Sequence, residues 1–353
     1  MSDFARRLTA WHRRHGRHDL PWQNTTDPYR VWLSEIMLQQ TQVATVIPYY
    51  ERFLARFPTL ADLAAAPVAE VMALWSGLGY YARARNLHAC AQAVVARHGG
   101  TFPREAAALA ALPGIGQSTA HAIADFCFGA QLPILDGNVK RVLCRCFGVD
   151  GFPGDAAVVQ RLWQLAASLL PPRAAATYIQ AQMDLGATVC TRSKPRCGEC
   201  PVAADCVARR DERIAALPTP KPRRAVPERA ATLLLLTHGN RVLLEQRPAA
   251  GIWGGLLSLP ELPDGVDVDS RARMLGCRAG AAQELPPLIH VFSHFRLRIA
   301  PLRVAVEPLP GVAEPGLRWL SAAEMGSAPL PAPIRKLLAG LFAAPGSSIL
   351  PVG

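Results

Sequence analysis

The sequence predicts a mostly α region over residues 1–217 and a smaller α+β domain over residues 229–345. Three observations carry that division. Before residue 217, apolar residues recur at helical spacing. Four prolines, Pro218, Pro220, Pro222 and Pro227, then fall within residues 218–228, a density that bars regular structure and favours a stiff extended linker. Beyond the linker, alternating runs are separated by turn signals. Residues 346–353 form a tail.

The elements follow in order. Asp27-Pro28 starts a helix, with Asp as N-cap and Pro at the first helical position. Val31, Trp32, Ile36 and Val43 then recur at helical spacing. Further helices fit residues 68–76, 82–97, 117–128, 139–146, 156–169 and 177–186. In the second domain, runs at 232–237 and 241–246 flank His238-Gly239-Asn240, a hairpin signature. Residues 290–299 alternate as a strand, and residues 334–342 read as a closing helix. There are no internal repeats.

Composition narrows the partners. The 353 residues suffice for two ordinary cores, and 50% hydrophobic with 18% charged residues is globular rather than disordered. The net charge of +11 favours a polyanion, most simply nucleic acid. A GC-rich genome would explain 34 Arg against 4 Lys, but not the excess of basic over acidic residues. No run of 18 apolar residues appears, so no membrane partner is expected. The N-terminus lacks a secretion signal, and the nine cysteines are an odd number, which together point to a reducing cytoplasm.

Clustered cysteines then read as ligands. Cys190, Cys197, Cys200 and Cys206 are spaced C-x6-C-x2-C-x5-C, compact enough to wrap one metal centre. Structural zinc more often shows two close pairs, and only Cys197–Cys200 is such a pair, so the spacing leans toward an iron–sulfur cluster. Between the first two cysteines, Arg192, Lys194 and Arg196 make a basic loop suited to phosphate.

Leu112-Pro113-Gly114-Ile115-Gly116 lies between two helical stretches and opens the helix carrying Ser118. Its glycines allow a tight turn whose amides can face one phosphate, the pattern of a helix–hairpin–helix; a plain turn between helices has the same look. Glu35 lies mid-helix beside Trp32, Leu33, Ile36 and Leu38. It is either a solvent-facing Glu or an acid whose pKa is raised by burial. Asp136, before Gly137 and Asn138, is at least a good N-cap.

The helix–hairpin–helix, then Leu135-Asp136-Gly137-Asn138-Val139, then the cysteine run, resemble the endonuclease III superfamily of DNA glycosylases, and within it the adenine-specific family. Leu20-Pro21-Trp22-Gln23, the stretch from Trp32 to Val43, the stretch from Gly77 to Asn86 and Phe292-Ser293-His294 carry the closer likeness, which spans nearly the whole chain. The resemblance implies a helix–hairpin–helix catalytic domain at 1–217, with a six-helix part near 22–136. Residues 1–21 and 137–217 would form the iron–sulfur part, with a cluster loop at 190–206. It implies one 4Fe-4S cluster on Cys190, Cys197, Cys200 and Cys206. It implies a bacterial, cytoplasmic, nucleoid-associated monomer of base excision repair acting on double-stranded DNA with A:8-oxoguanine or A:G mispairs.

Roles follow by the same resemblance. Glu35 protonates the adenine and helps activate water; Asp136 stabilises the sugar's oxocarbenium character or bonds to it transiently, with Asn138 orienting it. Relatives that also cut the strand carry lysine where this chain has Ser118, and serine forms no imine, so a monofunctional enzyme is expected. Lys140 lies near in sequence, with a phosphate contact as its plain reading. Gln39, Gln40 and Tyr80 are the expected wedges in the duplex, one of Tyr80 and Tyr81 being core, and Gly77 and Gly79 suit a turn that presents Tyr80 outward. Trp22, Gly114, Gly116, Ser118, Arg192, Lys194 and Arg196 complete the expected DNA contacts.

The second domain resembles a Nudix fold. Gly255 and Glu261 match the opening of the Nudix box, but Asp269-Ser270-Arg271-Ala272-Arg273-Met274 stands where its metal-binding glutamates belong. The domain is expected to keep the fold without the hydrolase and to read 8-oxoguanine through Phe292, Ser293 and His294. Two other readings stay open: a glycosylase/lyase for oxidised pyrimidines, and a non-catalytic DNA-binding protein.

Overall fold

A computed structural model describes residues 2–222, 226–248, 251–292, 294–310 and 316–343. The chain divides into two compact units, Met1–Ala65 with Asn86–Arg223, and Ala66–Arg85 with Arg224–Gly353. Ranges 1–217 and 229–345, read from the sequence, differ from this at residues 66–85. Hydrogen bonds explain that assignment: Ser76 Oγ donates to Leu330 O at 3.1 Å, and Arg85 Nη1 donates to Gly254 O at 2.6 Å. Such ties between segments far apart in sequence leave no local signal.

The helices in chain order are α1 (Asp3–His15), α2 (Pro28–Leu38), α3 (Val43–Arg56), α4 (Leu60–Ala65), α5 (Val68–Trp75), α6 (Ala82–His98), α7 (Ala106–Ala110), α8 (Gln117–Phe128), α9 (Gly137–Phe147), α10 (Ala156–Leu169), α11 (Ala175–Asp184) and α12 (Val207–Arg210). Asp27 caps α2 as expected, its carboxylate accepting from Tyr29 N with Pro28 in the first turn. Val43 corrects the reading of one helix through residues 31–43. α2 stops at Leu38, Gln40 takes a left-handed φ of 58°, and Val43 opens α3. The apolar spacing survives the break because two helices happen to share it.

Two apolar clusters hold the first unit. Trp32, Tyr50, Phe53, Phe57 and Leu63 are fully or almost fully buried around α2, α3 and α4. Leu8 of α1, Leu143 of α9, Leu162 of α10 and Ile179 of α11 form the second cluster with Val202. Burial of each such side chain stabilises by roughly 1.5–3 kcal/mol.

α11 runs into one π-helical turn, Leu185–Val189, which delivers the chain to Cys190. Asp184, fully buried at that junction, accepts from Arg17 N at 2.8 Å and from Arg17 Nη2 at 2.6 Å. His12 Nε2 lies 3.2 Å away. The N-terminal segment is thereby fastened to α11.

The second unit holds an eight-stranded sheet: β1 (Glu228–His238), β2 (Arg241–Gln246), β3 (Leu257–Ser258), β4 (Glu261–Leu262), then helix α13 (Val268–Met274), β5 (Cys277–Glu284), β6 (Leu288–Val291), β7 (Arg296–Pro308), β8 (Leu317–Ser321) and helix α14 (Ala332–Phe342). β3, β2, β1, β7 and β5 are neighbours in that order, with β1 and β7 parallel. β1 and β2 form the expected hairpin, His238 opposite Arg241. Residues 290–299 correct a single-strand reading: β6 and β7 are antiparallel, with Val291 facing Arg296. Alternation on both arms of a hairpin looks like one strand when the turn is short. Apolar side chains cover both faces, one cluster around Leu235, Ile299 and Ile334, the other around Leu236, Ala272 and Val304. Among the described residues, no helix is long and apolar enough to cross a membrane.

Asp184 generates a stability prediction. Burial alone would raise its pKa, but hydrogen bonds from His12 and Arg17 and the Arg17 charge outweigh it and leave the pKa lowered. A carboxylate depressed on folding contributes stability above its unfolded pKa of about 3.9 and loses it as pH falls through the folded value. Asp184→Asn removes the partner of Arg17 and is expected to cost about 3–5 kcal/mol in urea unfolding at neutral pH, with the difference from the parent shrinking on acidification. An unchanged midpoint at neutral pH would refute the anchoring role.

Candidate functional site

One broad pocket in the first unit gathers most of the residues singled out above. Trp22, Glu35, Gln39, Gln40, Ser118, Asp136, Asn138 and Arg192 all line it. Glu35 comes from the third turn of α2, the apolar residues around it facing the core. Asp136 comes from the N-cap of α9. The cap geometry and the site geometry are the same geometry: Val139 N donates to Asp136 Oδ1 at 2.7 Å, while Asn138 Nδ2 donates to Oδ2 at 3.0 Å.

The two carboxylates sit in unequal environments. Loss of solvent, and secondly the Asp136 charge, push the Glu35 pKa to about 7. Burial also raises Asp136. Hydrogen bonds from Val139 N and Asn138 and the Arg141 charge offset part of that rise, and its pKa stays above the ordinary carboxylate value. For Glu35 both causes raise the pKa, so the two carboxyls sit in chemically unequal surroundings.

Arg141 was not singled out from the sequence. Its Nη2 donates to Asn138 Oδ1 at 2.8 Å and to Gly186 O at 2.7 Å, and its Nε donates to Cys190 O at 2.7 Å. Burial is the main cause of its lowered pKa. Asn138, Arg141 and Arg145 are three and four apart on α9, so helical spacing could have flagged them as one face. Gly186 was also missed. A Cβ there would stand 2.5 Å from Asn138 Cβ, so the π turn can lie against α9 only with glycine.

The hairpin between α7 and α8 has the expected form. Gly114 takes φ 75° with its would-be Cβ 2.7 Å from Asn86 Cβ, and Gly116 is the N-cap of α8 without a capping side chain. Ser118 Oγ accepts from Leu135 N at 3.0 Å, fastening the start of α8 to the residue before Asp136. Lys140 Nζ donates to Pro153 O at 3.1 Å.

The four cysteines line a second, small pocket with Arg145, Cys146, Leu185 and Pro195. Arg145 is buried; its Nη1 donates to Thr191 O at 2.7 Å and approaches Cys190 Sγ at 3.5 Å. Among the described residues, no three His, Cys, Asp or Glu side chains gather as a site for a single metal ion. Four thiols around a cavity fit a cluster with its own inorganic core better than one ion at bonding distance from all four. Arg192, Lys194 and Arg196 are exposed on the adjoining loop, with Arg196 Nη2 donating to Thr188 O at 2.8 Å.

Trp22 is buried, edge-on to Tyr50 at 5.4 Å, and contributes a pocket wall. In the second unit, Tyr80 is 50% exposed at φ 48°, following Gly79 at φ 73°. Trp75 Nε1 donates to Gly79 O at 3.1 Å, and Arg83 lies 5.7 Å from the Tyr80 ring centre, so the turn is braced from beneath. Tyr81 is the packed member of the pair, its hydroxyl donating to Leu330 O at 3.4 Å. Phe292 and His294 lie between β6 and β7 in the chain, Phe292 stacked on Phe295 at 4.4 Å. Ser293 lies outside the described residues. On α13, Arg271 Nη2 donates to Glu245 Oε2 at 2.9 Å.

Comparison with known proteins identifies three matching families. Residues 33–168 match the HhH-GPD superfamily of base excision DNA repair proteins, residues 190–206 the iron–sulfur binding domain of endonuclease III, and residues 231–340 the NUDIX domain. The adenine DNA glycosylase of Buchnera aphidicola subsp. Acyrthosiphon pisum is 32% identical over 95% of this chain and 96% of its own length. The rat adenine DNA glycosylase is 37% identical over 96% of this chain and 77% of its own. Among solved structures, a thermostable thymine-DNA glycosylase superposes with a TM-score of 0.53 at 28% identity, over 59% of this chain and 95% of its own. A non-covalent endonuclease III–DNA complex, at 21% identity and a TM-score of 0.51 over 58% of this chain and 94% of its own, shares the fold.

The coupling of the carboxylates is measurable. In the protein without DNA, Glu35 is expected to titrate near pH 7 by carboxyl-selective NMR or difference infrared spectroscopy. In Asp136→Asn it should titrate lower, since the second cause is gone, yet above the free value because burial remains. A Glu35 pKa that does not respond to that substitution would show that the carboxylates do not sense each other.

Proposed function

The chain belongs to the adenine DNA glycosylase family of base excision repair, and we propose that it flips adenine out of A:8-oxoguanine and A:G mispairs and removes it by hydrolysis, acting as a monomer. The enzyme is a glycosidase with a cluster-binding iron–sulfur motif. The observation that carries the mechanism is the inequality of Glu35 and Asp136 in one pocket.

Adenine leaves its sugar poorly as an anion. Protonated Glu35 donates to a ring nitrogen of the flipped base, which lowers that cost. As the bond breaks, positive charge builds on the sugar. Asp136, whose charged form is favoured by Val139 N, Asn138 and Arg141 against the burial that opposes it, faces that charge. Water then attacks the sugar, with the Glu35 carboxylate accepting its proton, so the acid is regenerated. Serine at 118 offers no amine for an imine, and Lys140 is engaged at Pro153 O, which speaks against a lyase.

Gln39 and Gln40 act as wedges in the duplex, and exposed Tyr80 of the second unit is a further wedge. The 113–116 hairpin and the loop carrying Arg192, Lys194 and Arg196 hold backbone phosphates. Cys190, Cys197, Cys200 and Cys206 hold one 4Fe-4S cluster that shapes that loop. Phe292, Ser293 and His294 read the base opposite. The Nudix-like unit has Ser270, Arg273 and Met274 where metal-binding glutamates would stand, and its Arg271 is paired with Glu245, which supports recognition without hydrolysis. Acting on DNA, the enzyme is proposed to associate with the bacterial nucleoid.

Single-turnover excision on an A:8-oxoguanine duplex tests this. Glu35→Gln should abolish excision and leave duplex binding intact; excision at the parental rate would sink the assignment. Because the acid form of Glu35 is the active one, the rate should fall as pH rises through about 7. His294→Ala should narrow the preference for A:8-oxoguanine over A:G while excision from A:G is retained. An unchanged ratio would remove that residue from base reading.

A further inference from the structure

Three side chains on α8 grip the segment that delivers Asp136. Residues 129–135 belong to no helix or strand, and the chain leaves α8 through left-handed backbone at Gly129 and Gln131, φ 69° and 59°. Asp125 Oδ1 then accepts from Leu132 N at 2.7 Å. His121 Nδ1 donates to Pro133 O at 2.6 Å, and Ser118 Oγ accepts from Leu135 N at 3.0 Å. Positions 118, 121 and 125 are three and four apart, one stripe of a helix. Their partners follow in reverse order, so the segment runs back along α8 and brings Asp136 beside its first turn.

These rungs are polar where packing alone would be cheaper. Asp125 is buried, and its Oδ2 has no hydrogen-bond partner among the described residues. Burial pushes its pKa up to about 6 against the Leu132 and Gln131 amides, which lower it. An apolar residue would avoid that cost. His121 stands edge-on to Trp163 of α10 at 5.4 Å, which fixes its ring, and the nitrogen facing a carbonyl must carry the hydrogen. Helix α8 also packs against α2, the helix of Glu35. It therefore touches the supports of both carboxyls.

We propose that this face of α8 is a clamp that sets the separation of Asp136 from Glu35 during adenine removal, with His121 and Asp125 as its positioning residues. The inference deepens the proposed function and rests on it. Neither His121 nor Asp125 lines the pocket, so both act through the backbone of residues 132 and 133. Like charges in a desolvated pocket repel, so a loosened Asp136 moves away from Glu35. The geometry in which acid and anion act on one sugar is then lost. Were the rungs only packing, a side chain of the same shape without the hydrogen-bonding atom would serve as well.

The test uses the full chain with His121→Phe, which keeps a ring against Trp163 without a donor, and His121→Asn, which keeps a donor. Three quantities are read: single-turnover excision on an A:8-oxoguanine duplex, affinity for that duplex, and titration of Glu35 by carboxyl-selective NMR without DNA. His121→Phe should excise roughly ten- to a hundredfold more slowly at unchanged affinity. Its Glu35 should titrate below the parental value of about 7. His121→Asn should restore both. A phenylalanine variant with the parental rate, or a slow one with the parental Glu35 titration, overturns the proposal, as does an asparagine variant as impaired as phenylalanine. Amide hydrogen exchange in the parent decides the matter even where a variant fails to fold: Leu132 and Leu135 should exchange as slowly as the interior of α8, and exchange at the rate of a free loop overturns the clamp. A parent that excises adenine from neither mispair sinks the proposed function, whereas the Glu35 titration and the amide exchange need no DNA and judge the clamp separately.

Discussion

One guanidinium joins the two chemically important parts of the first unit. Arg141 donates to Cys190 O, to Gly186 O and to Asn138 Oδ1, and Asn138 donates in turn to Asp136. The first cysteine of the run, the π turn and the carboxylate are thus held by a single side chain. Arginine suits this because its donors are fixed in one plane and its charge survives burial. Gly186 completes the joint by letting the π turn lie against the start of α9. Helix α9 is in effect the axis of the site, presenting Asp136 at one end and Arg145 with Cys146 toward the other.

The site's electrostatics follow from this placement. Two carboxylates in one desolvated pocket cannot both be charged cheaply. The Val139 and Asn138 amides donate to Asp136 with the Arg141 charge nearby, whereas both causes acting on Glu35 raise its pKa. The two carboxyls of one pocket are thereby made unequal. In the second unit, α13 carries Arg271 and Arg273, and Arg271 is paired with Glu245. The sheet beside it is held by apolar side chains on both faces.

Much of this was legible beforehand for identifiable reasons. The helices at 117–128 and 156–169 are found where apolar spacing placed them, and Asp27-Pro28 caps α2 as capping chemistry demands. Other features were hidden. The stop at Leu38 depends on the left-handed backbone of Gln40, which glutamine does not advertise. The pairing of β6 with β7 is masked because alternation is the same on both arms. The grouping of residues 66–85 with the second unit depends on hydrogen bonds to Leu330 and Gly254.

The cysteine run, the glycine hairpin and the Asp136 cap are local, so spacing and residue type alone determined them. A motif whose parts lie within a few turns of one another carries its geometry in its sequence. What only tertiary structure decided is the company each part keeps. Burial and the Asp136 charge raise Glu35 toward neutrality because α2 and α9 meet across one pocket, and Cys146 joins the four cysteines of the run in one pocket because α9 passes beside a loop far along the chain. Desolvation and charge coupling act through space, and no spacing rule along the chain encodes them.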